Sequence, residues 1–133
     1  MSEVVFGQMG DLKVGKYVVI EGEPCRIVGM DKSKPGKHGA AKINVVAISI
    51  FTNNKRTLMK SSDADVEMPI VTRKRAQVVS VSGHTAQLMD TESFEVFETD
   101  IPEEMRNELE AGKEIQYMVV MGKNVLLKFS AEE

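Results

Sequence analysis

Residues 41–51 read Ala-Lys-Ile-Asn-Val-Val-Ala-Ile-Ser-Ile-Phe, the longest β-branched run in the chain. Ile43, Val45, Ala47 and Ser49 fall on one face of a strand, and Val46, Ile48 and Ile50 on the other. Both faces are largely apolar, the pattern expected of a strand covered on both sides. The neighbours on either side repeat the theme in shorter pieces. Tyr17–Ile20 is apolar and β-rich, Glu21-Gly22-Glu23-Pro24 reads as a turn, and Cys25–Val28 resumes a strand that continues toward Asp31. Downstream, Thr52-Asn53-Asn54-Lys55 is a turn, followed by short strands over Arg56–Ser61 and Val66–Val71. Short strands joined by tight turns predict a small all-β barrel.

Immediately before the long strand lies Ser33–Lys42, SKPGKHGAAK. Pro35 presets φ for the second position of a turn, and Gly36 supplies the positive φ that a type II turn needs next. Between Lys32 and Lys42 there are four lysines, one histidine and no carboxylate. A basic, glycine-containing connection between strands points to an anionic target; the plainer reading is a solvated hairpin that happens to be rich in lysine.

Past Pro69, the polar and basic Thr72-Arg73-Lys74-Arg75 reads as a boundary, dividing the chain into domains 1–70 and 71–133. The second domain offers strands at Ala76–Ser82, Thr85–Met89 and Phe94–Phe97. A helix follows from Asp100, with Pro102 and two glutamates in its first turn, an apolar stripe of Ile101, Met105 and Leu109, and Gly112 as its stop. Strands at Ile115–Met121 and Val125–Phe129 complete the order β-β-β-helix-β-β of an OB-fold barrel. The fold class expected is therefore mainly β: two small barrels, the second an OB fold with one short helix.

Composition narrows function. The 133 residues carry 42% hydrophobic residues, 5% aromatics and no tryptophan, so the cores must be aliphatic. No apolar run is long enough to span a bilayer, and the N-terminus lacks a secretory pattern. The single cysteine, Cys25, excludes an internal disulfide and fits a reducing compartment, so the expected location is cytoplasmic, with no membrane partner. The formal net charge of −3 hides an asymmetry: residues 1–70 hold 10 Lys and Arg against 8 Asp and Glu, residues 71–133 hold 7 against 12. The front half can face a polyanion; the back half is acidic overall.

The same residues discriminate among specific chemistries. A phosphate-cradling loop needs a glycine five positions before Gly36 and Ser or Thr after Lys37, where Asp31 and His38 stand, and no helix follows. Gly36-Lys37-His38-Gly39 matches the G-x-x-G clamp of KH domains, but between strands instead of helices. Lys37 as a catalytic amine lacks burial and a general acid. His38 and His84 are too few for a metal site, His84 reads as a turn residue, Cys25 as a buried small hydrophobe, and the nine methionines as core filler. Phe94, Phe97, Tyr117 and Phe129 are the aromatics of the acidic half that could stack on bases, if not in the core.

Lys34-Pro35-Gly36-Lys37-His38-Gly39-Ala40-Ala41-Lys42 resembles the modification loop of the translation initiation factor 5A family, the hypusine-containing factors of archaea and eukaryotes related to bacterial elongation factor P. The resemblance extends over the whole chain, and Pro35 and the short length are similar to the archaeal branch. It implies an SH3-like front barrel and an OB-fold back barrel. It implies that Lys37 is the modified residue, bearing deoxyhypusine or hypusine, and that Lys34, Gly36, Lys37, His38, Gly39 and Lys42 form an RNA-contacting loop. The modifying enzyme, deoxyhypusine synthase, would use spermidine and NAD; the chain itself would be neither an enzyme nor a holder of a cofactor or metal. Partners implied are the ribosome and the acceptor end of peptidyl-tRNA, with promotion of peptide-bond formation at stalling sequences such as proline runs. Eukaryotic members carry a second histidine where this chain has Ala40, which leaves open whether Lys37 ends as deoxyhypusine or hypusine. The alternative is an unmodified RNA-binding, ribosome-associated protein on the same barrels. The acidic half is expected to contact tRNA or ribosomal protein, or to orient the front barrel.

Overall fold

The computed structural model describes residues 3–33 and 41–127. The chain folds as two units, Met1–Ile70 and Val71–Glu133.

In the first unit, β1 (Val4–Gln8) pairs antiparallel with β6 (Asp65–Pro69). β2 (Tyr17–Ile20), β3 (Glu23–Ser33), β4 (Lys42–Ser49) and β5 (Lys55–Ser61) form an antiparallel meander in that order. The β-branched run of residues 41–51 supplies β4, at the centre of the unit's packing. Ile43, Val45, Ala47 and Ser49 are fully buried, while Val46, Ile48 and Ile50 are half-buried. One face is therefore core and the other a partly covered outer face, in place of the two covered faces expected. The core around them is aliphatic, as a chain without tryptophan requires: Met9, Leu12, Val18, Ile20, Ile27 and Val66, with Cys25 among them. β3 is longer than its apolar residues suggest, because pairing with β4 carries the polar Asp31-Lys32-Ser33 along; Glu23 and Pro24 belong to it, and the turn is Glu21-Gly22 alone.

In the second unit, β7 (Val71–Ser82), β8 (Thr85–Asp90), β9 (Val96–Asp100), β10 (Glu114–Val120) and β11 (Lys123–Leu126) form one antiparallel sheet in the order β11-β10-β7-β8-β9. This is OB-fold connectivity: the first strand of the unit sits centrally, and the helix-bearing connection joins its third and fourth strands. The edges approach one another, with Thr99 Oγ1 donating to the Asn124 carbonyl at 3.4 Å. Thr72–Arg75, read as the boundary, lies just inside the second unit as strand. These residues form the start of β7, held against β10 by the pairs Thr72↔Val119 through Arg75↔Gln116.

The helix expected from Asp100 is shorter and tighter. A 3₁₀ turn spans Glu103–Met105, entered from an extended Pro102 (ψ 145°), and the next bonds are again of the i→i−3 kind, Arg106 N–H to Glu103 O and Glu108 N–H to Met105 O. Glu104 and Glu108 would stand four apart on an α-helix and repel, and so short a segment cannot nucleate a helix by itself. The apolar stripe serves as expected: Ile101, Met105 and Leu109 are all buried in the unit's core beside Val78, Leu88 and Ile115. Phe94 lies in the turn before β9 instead of in the strand, and Phe129 lies outside the described residues.

Candidate functional site

Of the loop predicted to carry function, Lys34, Gly36, Lys37, His38 and Gly39 lie outside the described residues. Its base is described. The β3–β4 register closes on the pair Ser33↔Lys42, so residues 34–41 connect the two strands of one hairpin. Lys42, the remaining site residue, is exposed as the first residue of β4 and pairs on its other side with Ser61. In the next row Ile43 stands between Lys32 and Lys60, which places cations on both neighbouring strands beside the connection.

Backbone bonds tie this base down. The Ser62 N–H donates to the Ala41 carbonyl at 2.8 Å, and the Gly10 N–H to the Ser62 carbonyl at 2.9 Å. One step further, the N–H of fully buried Met9 donates to the Ala64 carbonyl at 2.9 Å. Three segments distant in sequence thus meet at the root of the connection. Gly10 allows the approach: a Cβ there would come within 3.3 Å of the Ser62 carbonyl oxygen. The physical consequence is a firm origin, anchored through Ile43 and Val45 to the core, for whatever residue 37 carries.

Other candidates resolve toward structure. Cys25 is buried, its thiol pushed above the ordinary value by desolvation, so it is no nucleophile. His84 meets the Arg106 guanidinium, with 3.1 Å between Nε2 and Nη2, while its carbonyl accepts the Ile101 N–H at 2.8 Å. Among the described residues no group of three or more His, Cys, Asp or Glu is placed to hold a metal ion. Nor is any helix there long and apolar enough to cross a membrane. Of the methionines, Met9, Met105 and Met118 are buried, whereas Met59 is exposed on β5.

Sequence reasoning misses a buried carboxylate. Asp90, at the end of β8, is 3% exposed. Its Oδ2 accepts the Tyr117 hydroxyl at 2.6 Å, and its Oδ1 accepts the N–H groups of Glu92 at 2.8 Å and Ser93 at 2.9 Å. The Tyr117 bond and these two backbone bonds outweigh burial and hold the carboxyl at about 2. Tyr117 is pushed upward by burial and then by the Asp90 bond. A carboxylate so stabilised is a poor base; its work is to fix the turn 91–95. The signal in the sequence is an Asp ending an apolar strand just before a hydroxyl-bearing turn, and the same residues equally spell a solvated turn.

The aromatics of this unit now separate. Tyr117 is buried and Phe97 packs on it, ring centroids 4.9 Å apart, while Phe94 is 68% exposed. Arg73, Lys74 and Arg75 line a shallow hollow with Thr91, Glu92 and Gln116.

Comparison with known proteins is consistent along the whole chain. Residues 2–64 match the family model described as translation initiation factor 5A-like, N-terminal, and residues 70–129 the model described as eukaryotic elongation factor 5A hypusine, DNA-binding OB fold. A translation initiation factor 5A from Methanocella arvoryzae is 49% identical over 95% of this chain and 96% of its own length. One from Methanoculleus marisnigri is 50% identical over 90% and 95%. Among solved structures, the eukaryotic translation initiation factor 5A from Methanococcus jannaschii superposes with a TM-score of 0.89 at 40% identity, covering 96% of each chain. A translation initiation factor eIF-5A family protein from Naegleria fowleri gives 0.74 at 31% identity, covering 96% of this chain and 98% of that one.

Proposed function

The chain belongs to the translation initiation factor 5A family, and on that premise we propose that it binds the ribosome and acts through a modified Lys37 on the acceptor end of peptidyl-tRNA. The observation that carries this reading is the string Lys34-x-Gly36-Lys37-His38-Gly39-x-Ala41-Lys42, which spans the β3–β4 connection and ends on the first residue of β4. Lys37 is the substrate of deoxyhypusine synthase, which transfers the aminobutyl group of spermidine with NAD as its cofactor. That chemistry belongs to the modifying enzyme; this chain supplies the accepting amine and performs no catalysis of its own.

The arm changes what a lysine can do. An unmodified lysine is one compact charge on a four-carbon stem. The aminobutyl extension adds reach and a second cationic amine, so two separated charges can bridge RNA backbone groups. Holding an acceptor end in place lowers the entropic part of the barrier to peptide-bond formation without any bond being made by the factor. Lys34 and Lys42 add positive potential beside the arm, His38 offers a further hydrogen-bonding group, and the bonded base at Ala41, Ser62 and Gly10 gives the connection a defined origin. The work is done on ribosomes in the cytoplasm, where stalled sequences such as proline runs wait for it.

The mass of the peptide containing Lys37, taken from protein expressed in its native host, tests the modification: an aminobutyl increment is expected, with or without an added oxygen. An unmodified lysine would leave a ribosome-associated RNA-binding protein acting without the arm. Lys37→Ala is expected to abolish stimulation of peptide synthesis on proline-rich templates while the circular dichroism spectrum stays unchanged. Full activity from that variant would end the proposal.

A further inference from the structure

Phe94 has the wrong side chain for its backbone. It sits at φ 62°, in the left-handed region, where a bulky residue is rare and glycine or asparagine is at ease. Its ring is also 68% exposed, so it gains little from burial. An equivalent turn in the first unit, Ser49–Asn54, places Asn53 at the corresponding position with φ 66°. Local conformation therefore does not account for Phe94, and packing does not either. What remains is what an exposed aromatic face on a bonded turn does to a partner.

The same turn is joined to a basic strand. The Thr91 N–H and hydroxyl both donate to the Arg75 carbonyl, at 3.0 and 3.4 Å. Thr91 and Glu92 line one hollow with Arg73, Lys74, Arg75 and Gln116. Arg75 is paired with Glu114 at 3.3 Å, but Arg73 and Lys74 form no ion pair among the described residues. Three consecutive cations stand out in a half whose balance is 7 basic against 12 acidic residues. Among the described residues Glu92 is the one carboxylate lining the hollow.

We propose that the turn at Thr91–Glu95 and the strand at Arg73–Arg75 form a binding site for single-stranded RNA, with a base stacked on Phe94 and phosphates on Arg73 and Lys74. Stacking on an exposed aromatic ring combined with a basic groove is the general means of holding single strands without reading their sequence. In this OB fold the turn joins the second and third strands, away from the loops that follow the first and fourth, where OB folds usually take nucleic acid. The buried Asp90, gripping Glu92 and Ser93, keeps the turn in shape before RNA arrives. The site does not rest on the modification of Lys37.

The test is fluorescence anisotropy of a labelled uridine oligonucleotide with the full-length, unmodified chain across a salt series. Phe94→Asn should weaken binding at least about fivefold, the low end for loss of one stacked base, with the thermal midpoint unchanged or raised. Arg73→Gln with Lys74→Gln should lower the slope of log affinity against log salt by about 1.4, as two lost single-strand phosphate contacts require. Lys13→Gln with Lys16→Gln removes the same charge from the first unit and should change the slope far less. Unchanged RNA affinity in Phe94→Asn, including the case where that variant loses a protein contact instead, overturns the proposal. So does an equal slope change from the two paired charge variants. Because the protein is unmodified, none of these results bears on the role of Lys37.

Discussion

Two turns in different halves of this chain are built by the same bonds from different residues. In the first, Ser49 ends β4; in the second, Asp90 ends β8. Each is buried, and each side-chain oxygen accepts the N–H groups two and three residues on: Phe51 and Thr52, both at 3.2 Å, or Glu92 and Ser93. Each carbonyl accepts the N–H four residues on, from Asn53 or Phe94, at 2.9 Å. Each N–H donates to the carbonyl five residues on, of Asn54 or Glu95, at 2.9 Å. Thr52 and Ser93 then accept from Asn54 and Glu95 at 3.2 and 3.3 Å. Finally Ile50 and Thr91 donate across to Pro24 and Arg75 on the neighbouring strand. Against these shared bonds two differences carry the comparison: a neutral hydroxyl against a buried carboxylate that also accepts from Tyr117, and Asn against Phe in the left-handed position. The first concerns stability, the second surface.

The carboxylate should dominate. Asp90→Ala removes the acceptor of the Tyr117 hydroxyl and of two N–H groups together, leaving a buried hydroxyl unpaired. A loss of about 3 kcal/mol is expected, since unsatisfied buried donors cost about 1–3 kcal/mol each and part is regained through water. Ser49→Ala removes a neutral acceptor with no aromatic partner and should cost about 1 kcal/mol. Hydrogen exchange of β8 and β4 amides separates the two units, whose unfolding need not be one transition. Equal losses would mean that the turn bonds alone matter and that Tyr117 contributes nothing.

Acid should expose the same difference. The folded Asp90 carboxyl lies at about 2, below its ordinary 3.8. A depressed carboxyl stabilises the fold fully above its unfolded value, and that contribution disappears as pH falls through 3.8 toward 2 and below. The amount is on the order of 2 kcal/mol. Asp90→Asn, which cannot titrate, should therefore lie furthest below the parent near pH 6 and approach it near pH 2, in urea melts followed by circular dichroism. A constant gap would remove the carboxylate's ionisation from the account. Ser49→Ala should show a gap independent of pH.

How far these features can be read in advance follows from their physics. Apolar, β-rich runs mark β4, β8 and β10 as strands, but in β4, apolar on both faces, residue type does not say which face becomes core. The apolar stripe Ile101, Met105 and Leu109 is legible as core but not as 3₁₀, since the same spacing suits an α-helix and only the enclosing sheet decides. Thr72–Arg75 reads as a boundary without showing that it is already strand, because exposed strand ends carry the same polar residues as connections between domains. The motif around Lys37 is legible only as a string that resembles a family's, because the modification proposed for it would be set by a separate enzyme, which no packing argument reaches. Asp90 reads as punctuation, because its partner Tyr117 lies 27 positions away and two strands over.

The smallest expected effect isolates the second difference. Phe94→Asn gives the second turn the residue that the first already has at its left-handed position. The backbone strain relieved there is about 1 kcal/mol, partly offset by lost contacts of a ring that is mostly in water. A net gain of about half a kcal/mol, read as a rise in the thermal midpoint or slower exchange in β8, is the expected outcome. The reciprocal Asn53→Phe should cost about 1 kcal/mol in the first unit, where no buried carboxylate holds the turn. If Phe94→Asn destabilises instead, the ring is part of the fold, and the case for an aromatic kept at the surface for a partner fails with it. If the variant is more stable and still binds RNA as before, the ring is spare, and the left-handed phenylalanine is left without a physical reason.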